Sequence, residues 1–486
     1  MSAHTGFWKA ADRIALWGGV LLILLLPNIT QAQEQENAVP LNYEFYTSFQ
    51  GATVGQTPFW HHANTYGHLQ HGSWANWLSG ITLELPYYQL GPVDISGATE
   101  LSLRLSDKRN SAHFTEMYGA LRYGTLQLCL GRFRHTVGGT NHELSVGSMM
   151  VSPNAVPIPQ IRISTSDFFD VPLSSGRLQA RILWSEGLLE RRRYVPNARL
   201  HQKALYFRTL VDRLRLTGGV VHNLQWGGDG KEEGLKRYGE LVLSLRGGDE
   251  NAIASYEVQA ELLMDTWKAT VHRQFYMEDQ IGLLFRSPWD GVWSVALERF
   301  VTEPVWIQSF IYQALNTIQQ DAFPGLPEGR ANYYSHHIYR SGWTYHGNTL
   351  GNPLLSNPDY RANDYAGEAP NLMVIAHHIG VRGLPTNRLQ YEARFTYSRN
   401  YGVCRDQLLQ GTCQFGANGV LLTDLEAIPR SELRQDQYAT MLNVRYLLSE
   451  TYGMHLRSSV AVDWGEFDGT QVGLMLGLQW DGTVNL

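Results

Sequence analysis

Three histidine pairs, His61-His62, His336-His337 and His377-His378, are the side chains in this sequence best suited to chemistry. Imidazoles ligate metals and exchange protons near neutral pH. The middle pair lies in "YYSHHIYRSGWTYHG" (Tyr333 to Gly347), where tyrosines, histidines and Trp343 crowd together and Arg340 is the only charged side chain. A metal site, a catalytic histidine, an aromatic shelf for sugars and a strand with a polar loop all fit that stretch.

Spacing narrows the chemistry. Neighbouring side chains of a strand point to opposite faces, so in the strand-like "VIAHHIGV" His377 and His378 cannot clamp one ion. No H-x-x-x-H, H-E-x-x-H or C-x-x-C spacing places ligands on one side, and no G-x-S-x-G elbow is present. We therefore expect no metal, no cofactor and no catalytic residue. An outer-membrane hydrolase with a scattered Ser, His and Asp or Asn set stays open as an alternative.

The elements that must position these groups read as β-strands. In "QVGLMLGLQW", Val472, Leu474, Leu476, Leu478 and Trp480 alternate with Gln471, Gly473, Met475, Gly477 and Gln479. In "RLQYEARFTYS", Leu389, Tyr391, Ala393, Phe395 and Tyr397 oppose Gln390, Glu392, Arg394, Thr396 and Ser398. The pattern recurs in "ELSLRLSD", "RLQARILW" and "HLRSSVAVDW", with Arg104, Arg177, Arg181, Arg457 and Asp463 on the polar side. The last strand is expected to stop at Trp480, ahead of "DGTVNL".

Charged residues make up 17% of the chain and aromatic residues 12%, against about 25% charged in an ordinary soluble protein. Such a chain has little charge for a water-facing shell. Segments of ~9 to 11 residues, apolar on one face and polar on the other, suit a transmembrane barrel; a soluble β-sandwich also alternates. Tight links such as "LPTN" and "SETYG" alternate with long ones at Ala322 to Asn371 and Tyr401 to Arg434, which favours the barrel. The expected fold is all-β, a transmembrane antiparallel β-barrel of about 16 to 18 strands with a plugged lumen.

Met1 to Ala32 carries Lys9 and Arg13, the apolar run Ile14 to Leu26, and small residues before Ala32. That order reads as a cleaved signal peptide at 1–32, leaving 33–486 as the barrel and 33–80 as a lead-in or plug segment. The destination is the outer membrane of a diderm bacterium, with lipid around the barrel and a monomeric chain. A net charge of -6 with no basic block gives nothing for nucleic acid to bind.

Cys404 and Cys413, in "CRDQLLQGTC", are expected to form a disulfide bracing a surface loop in an oxidising compartment. Cys129 is expected on the lumen side as a small, unpaired residue.

Aromatic rings cover the apolar faces of sugars while Tyr, His and Arg bond around the rim. The candidate glycan-binding set is Tyr339, Arg340, Trp343, Tyr345, His346 and Arg361, with "HHIYRSGWTY" entering a strand. Trp343 and Tyr345 read equally well as interfacial girdle residues.

Four stretches together, "TPFWHHANTYG" (Thr57 to Gly67), "LSVGSMMVSPNAVPIPQIRIS" (Leu144 to Ser164), "RRRYVPNARLHQKALYFR" (Arg191 to Arg208) and "HHIYRSGWTYHGNTLGNPLL" (His336 to Leu355), resemble the Wzi family of capsule assembly proteins in its Bacteroidetes-type branch. The resemblance implies an 18-stranded outer-membrane barrel with a periplasmic helical plug and a lectin-like, non-enzymatic role with capsular or other surface polysaccharide. No helical bundle is evident near the N-terminus here. A diffusion channel for oligosaccharides or other small solutes is the main alternative.

Overall fold

A computed structural model describes residues 38–53, 55–139, 143–231, 234–242, 250–278, 287–300, 303–319, 333–336, 338–356, 360–361, 364–365, 371–402, 414–415, 421–422 and 434–486. The expected signal peptide and the Cys404–Cys413 pair lie outside these residues.

Among the described residues, 18 strands form one closed antiparallel barrel. They are β1 (Pro40–Ala52), β2 (Ala75–Leu90), β3 (Val93–Ser106), β4 (Ser111–Tyr123), β5 (Leu126–Arg132), β6 (Gln160–Thr165), β7 (Gln179–Leu188), β8 (Arg199–Val211) and β9 (Leu214–Trp226). The second half comprises β10 (Asn251–Leu263), β11 (Trp267–Glu278), β12 (Gly291–Arg299), β13 (Val305–Asn316), β14 (Val374–Thr386), β15 (Leu389–Asn400), β16 (Gln435–Ser449), β17 (Met454–Gly465) and β18 (Gln471–Asn485). Each strand pairs with its predecessor, and β1 pairs with both β2 and β18, so no edge is left open. A closed sheet is one of the two backbone forms that satisfy their own polar groups in hydrocarbon.

The last strand runs past Trp480. Asp481 to Asn485 pair with Glu44 to Pro40, because the opening strand offers a ladder that long. The expected stop at Trp480 is corrected accordingly.

Alternation sets the two faces. On β12, Trp293, Val295 and Leu297 face outward and are exposed, while Val292, Ser294 and Ala296 face inward and are buried. On β18, Val472, Leu474 and Leu476 are exposed, and Gln471 and Gln479 buried. On β3, Glu100, Ser102 and Arg104 are buried while Leu105 is exposed. His377 and His378 do point to opposite sides: Tyr312 Oη lies 2.8 Å from His377 Nδ1 on the outside, and His378 Nδ1 lies 2.9 Å from Thr396 Oγ1 within. Outside, His377, Tyr397, Tyr438 and Trp464 are successive cross-strand partners, with ring centroids 4.9 Å apart for Tyr397–Tyr438 and 5.2 Å for Tyr438–Trp464. Such a row suits the aromatic girdle of a membrane barrel.

One end of the barrel carries tight turns, as at 91–92, 124–125, 212–213 and 387–388. The other carries the longer connections 53–74, 133–159, 227–250, 317–373 and 401–434. Among the described residues, helix is confined to α1 (Phe59–His62) and α2 (Leu235–Val242), both in loop-end connections.

The main core is made inside the barrel, where loop-end segments meet inward strand positions. Val137, Met149, Met150, Val156, Ile158, Leu189, Tyr333, Tyr334, Trp343 and Leu350 pack with Leu200, Ala204, Val221, Ile253, Tyr276, Val292, Leu315 and Val374. Small wall residues make room: a Cβ on Gly380 would sit 2.8 Å from Leu144 Cβ, and one on Gly473 2.8 Å from His61 Nδ1.

Candidate functional site

An irregular segment inside a barrel must find partners for its buried N–H and C=O groups. The inward face of the wall supplies them to the loop between β5 and β6. Glu257 accepts from Gly139 N at 2.9 Å, Gln274 Oε1 from Met149 N at 3.1 Å, and Gln313 Oε1 from Val146 N at 2.7 Å and Ser145 Oγ at 3.0 Å. These wall residues lie on β10, β11 and β13, so one loop is fastened across a broad sector.

The segment containing α1 enters beside it. Phe59 N donates to Asp463 Oδ2 at 2.6 Å, and Trp60 Nε1 donates to Thr396 Oγ1 at 3.2 Å. His61 lies 3.0 Å from Ser459 Oγ, and burial pulls its pKa down to about 4. Asn64 Nδ2 then donates to Val146 O at 3.1 Å, joining this segment to the first.

The third segment links β7 to β8. Arg193 is buried and donates to Thr344 O and Gly342 O, both at 3.1 Å, while Arg191 and Arg192 are exposed. Burying a guanidinium requires partners for its donors; two loop carbonyls and Glu190, at 3.3 Å, take up its two terminal nitrogens.

The fourth segment is the one with which the sequence reading began. Tyr333 Oη donates to Asp290 Oδ2 at 2.7 Å, Tyr334 Oη to Met149 O at 2.6 Å and Tyr339 Oη to Gly227 O at 3.1 Å. Trp343 is 0% exposed and donates Nε1 to Met150 O at 2.8 Å. Tyr345 receives a hydrogen bond from Arg132 Nη2 at 3.1 Å, and burial pushes its hydroxyl up to about 12. His336 Nδ1 accepts from the amides of Ile338 and Tyr339; His337 lies outside the described residues. Asn352 Nδ2 donates to Gly147 O at 3.1 Å and Asn154 Nδ2 to Thr349 O at 3.0 Å, closing the assembly of four segments.

The expected strand "HHIYRSGWTY" is therefore not a barrel strand. Its residues form turns and one arm of a short hairpin, Thr344–Tyr345 against Asn348–Thr349. Residues 338–356 fold on themselves inside the barrel, with their aromatic side chains distributed among several loops rather than two sheet faces.

Of the six expected glycan contacts, Tyr339, Trp343 and Tyr345 come together in this core, with their faces covered. Arg340 is partly exposed and lies 4.8 Å over the Tyr194 ring; His346 is exposed, and its amide donates to Glu190 Oε1 at 3.3 Å. Arg361 belongs to a separate two-residue pairing in which it is registered with Asp364. Cys129 is buried, with Gln127 Nε2 3.3 Å from its sulfur. No group of three or more His, Cys, Asp or Glu side chains comes together as metal ligands among the described residues.

Sequence reasoning missed Glu257, Gln274, Gln313 and Arg193. The only local signal of the first three is polarity on the inward parity, which they share with dozens of lumen residues; Arg193 lies in a connection with no parity and follows two exposed arginines of the same type.

Comparison with known proteins adds to the geometry. No curated protein matches the chain in sequence. The solved structure of Wzi from Escherichia coli, an outer-membrane carbohydrate-binding β-barrel involved in group 1 capsule assembly, is similar over 91% of this chain and 84% of that one, with 16% identity and a TM-score of 0.54. OprD from Pseudomonas aeruginosa is similar over 93% and 97%, at 10% identity and a TM-score of 0.46. The family model of the capsule assembly protein Wzi matches residues 42–357, a span containing all four interlocked segments. By that match, the chain belongs to the Wzi family of capsule assembly proteins.

Proposed function

We propose that this chain is an outer-membrane protein that binds surface polysaccharide and aids capsule assembly or attachment, without catalysing a reaction and without a cofactor. In this reading a signal peptide at 1–32 is removed, the mature chain 33–486 is monomeric, and the turn end faces the periplasm, as short turns do in outer-membrane barrels. The loop end then faces the cell exterior and the capsule. Segment 33–80 supplies β1, the α1 connection and the start of β2.

The observation that carries the reading is the mutual fastening of four loop-end segments inside the barrel. A pore for solutes needs an open path, whereas these contacts serve a braced scaffold whose loop end presents a fixed surface. Arg340 and His346 are the surface members of the glycan-contact set, with Tyr339, Trp343 and Tyr345 holding them in place; Arg361 and a Cys404–Cys413 disulfide are assigned to the outer loops.

The test is retention of capsule by cells that lack the gene and carry either the native chain or the Arg340→Ala, His346→Ala double variant. Loss of cell-bound polysaccharide in the deletion, restored by the native chain and less so by the variant, is the expected result. A steady conductance from purified native protein in a planar bilayer would overturn the closed-lumen reading in favour of a channel.

A further inference from the structure

Beneath the Gly138-Gly139 turn, on the turn-end side, six neighbouring strands from β7 to β12 enclose a cavity of ≈ 430 Å³. That volume lies within the ~300–1,000 Å³ typical of small-ligand sites. Most charges on its wall are neutralised by neighbours. Arg215 pairs with Glu261 at 3.3 Å and Lys268 with Glu298 at 2.6 Å. Glu257 is occupied by Gly139 N, Gln274 Nε2 and Tyr206 Oη at 2.9, 2.9 and 3.1 Å, with His272 3.6 Å away.

Two guanidiniums differ. Arg208 donates Nε and Nη2 to the neutral amide oxygen of Gln179, at 3.0 and 2.8 Å, and lies 4.0 Å over the Phe168 ring; its charge feels the carboxylates of Asp167 and Glu261 on the same wall, but no carboxylate is bonded to it among the described residues. Arg181 is exposed within the cavity and, among the described residues, has no ion pair. In the β7–β8 register Arg181 faces Tyr206 and Gln179 faces Arg208, so the two arginines are diagonal neighbours on the inward face. Diagonal partners in a sheet stand ~7–8 Å apart, which long arginine side chains bridge easily. Two like charges held there repel, and a cleft with protein walls focuses their field. An oxyanion between them relieves the repulsion and matches guanidinium geometry. Thr217 and Gln259 line the same space and offer hydroxyl and amide partners, and Phe168 offers a ring.

We propose that this cavity is a second saccharide site, in which Arg181 and Arg208 hold the acidic group of an anionic sugar unit. The choice of a sugar as carrier of the acid rests on the proposed function; the paired guanidiniums stand on the geometry alone.

The experiment is calorimetric titration of the purified full chain in neutral detergent with trigalacturonate, neutral maltotriose and inorganic phosphate. Trigalacturonate is expected to bind in preference to maltotriose, more weakly as salt rises, and at least tenfold more weakly to Arg181→Gln, Arg208→Gln protein. Arg181→Lys, Arg208→Lys protein is expected to retain most of the binding, and the exposed pair Arg191→Gln, Arg192→Gln all of it. Far-UV circular dichroism identifies any variant that has lost the barrel, and the Lys pair then decides in its place. Equal binding of trigalacturonate and maltotriose, or unchanged binding by the Gln pair, overturns the proposal. Phosphate competing as well as trigalacturonate overturns the saccharide assignment. A chain that binds trigalacturonate through these arginines but does not retain capsule overturns only the proposed function.

Discussion

Glu257, on the barrel wall, accepts a hydrogen bond from the main-chain N–H of Gly139 at 2.9 Å, and the same carboxylate receives Gln274, Ser255 and Tyr206. The β5–β6 loop is thus tied to β8, β10 and β11 through one buried group. Glu257→Ala leaves those donors unpaired at once. Removing one partner of a buried charged network costs about 3–5 kcal/mol, and Glu257→Gln, which keeps shape and some acceptors, is expected to cost about 1–3 kcal/mol. The loop should become accessible to protease before the barrel does; limited proteolysis with mass spectrometry measures the order, and simultaneous loss of both would show that the carboxylate is not a local tie.

Trp343→Ala removes a fully buried ring and leaves Met150 O without its donor. A loss of about 3–5 kcal/mol is expected from the cavity, read as a lowered midpoint of thermal unfolding in detergent. Trp343→Phe should fall well short of that, since it keeps most of the packing. A native midpoint for Trp343→Ala, together with weakened glycan binding, would place the ring in a binding surface instead of the core.

The two faces of the sheet should tolerate charge differently. Leu476→Arg on the outward face is expected to cost ~2–4 kcal/mol if it lies near the bilayer midplane, while Gln259→Lys, on the cavity wall beside Glu257 and Glu261, should cost much less. Reversible unfolding in lipid vesicles compares them, and equal costs would refute the face assignment.

His61 is buried, and its pKa is lowered to about 4 by that burial. The unfolded chain, with an ordinary histidine near 6.5, binds more protons between those values, so stability is complete above pH 6.5 and falls as the pH drops toward 4. Each unit of displacement is worth about 1.4 kcal/mol. His61→Gln should flatten the dependence of the unfolding midpoint across that window; an unchanged slope would assign it to other groups.

Cys404 and Cys413 are expected to be joined and Cys129 free, as an exported loop in an oxidising compartment allows. Peptide mapping without reduction checks this: alkylation of both loop cysteines before any reductant is added would rule the bond out.

The barrel was legible because its rule is short. Residues such as Leu389, Phe395, Leu474 and Gln479 need only the right parity to find the right face, and the strands have that parity over most of their length. The closing register of Asp481 to Asn485 was not legible, since it depends on a partner at the opposite end of the chain. The interior was harder. Trp343 and Tyr345 look the same in sequence whether they meet sugar, lipid or protein, and what decides among these is where Met150 O and Arg132 lie. The stretches "LSVGSMMVSPN" and "GWTYHGNTLGNP" have no period because their backbone groups find partners one by one, as Val146 N does at Gln313, Met149 N at Gln274 and Trp343 N at Tyr334 O.

The seam between β1 and β18 also sets a rule for barrel closure. Every other neighbouring pair joins strands that follow one another in the chain, so those ladders need only local connections. Pro40 to Ala52 must wait for Gly473 to Asn485, more than 400 positions further along the chain. Until it arrives, a row of unpaired N–H and C=O groups faces outward, a condition that hydrocarbon penalises by several kcal/mol per group. A sheet without that strand therefore keeps two open edges, and closure of the barrel draws on both ends of the described chain.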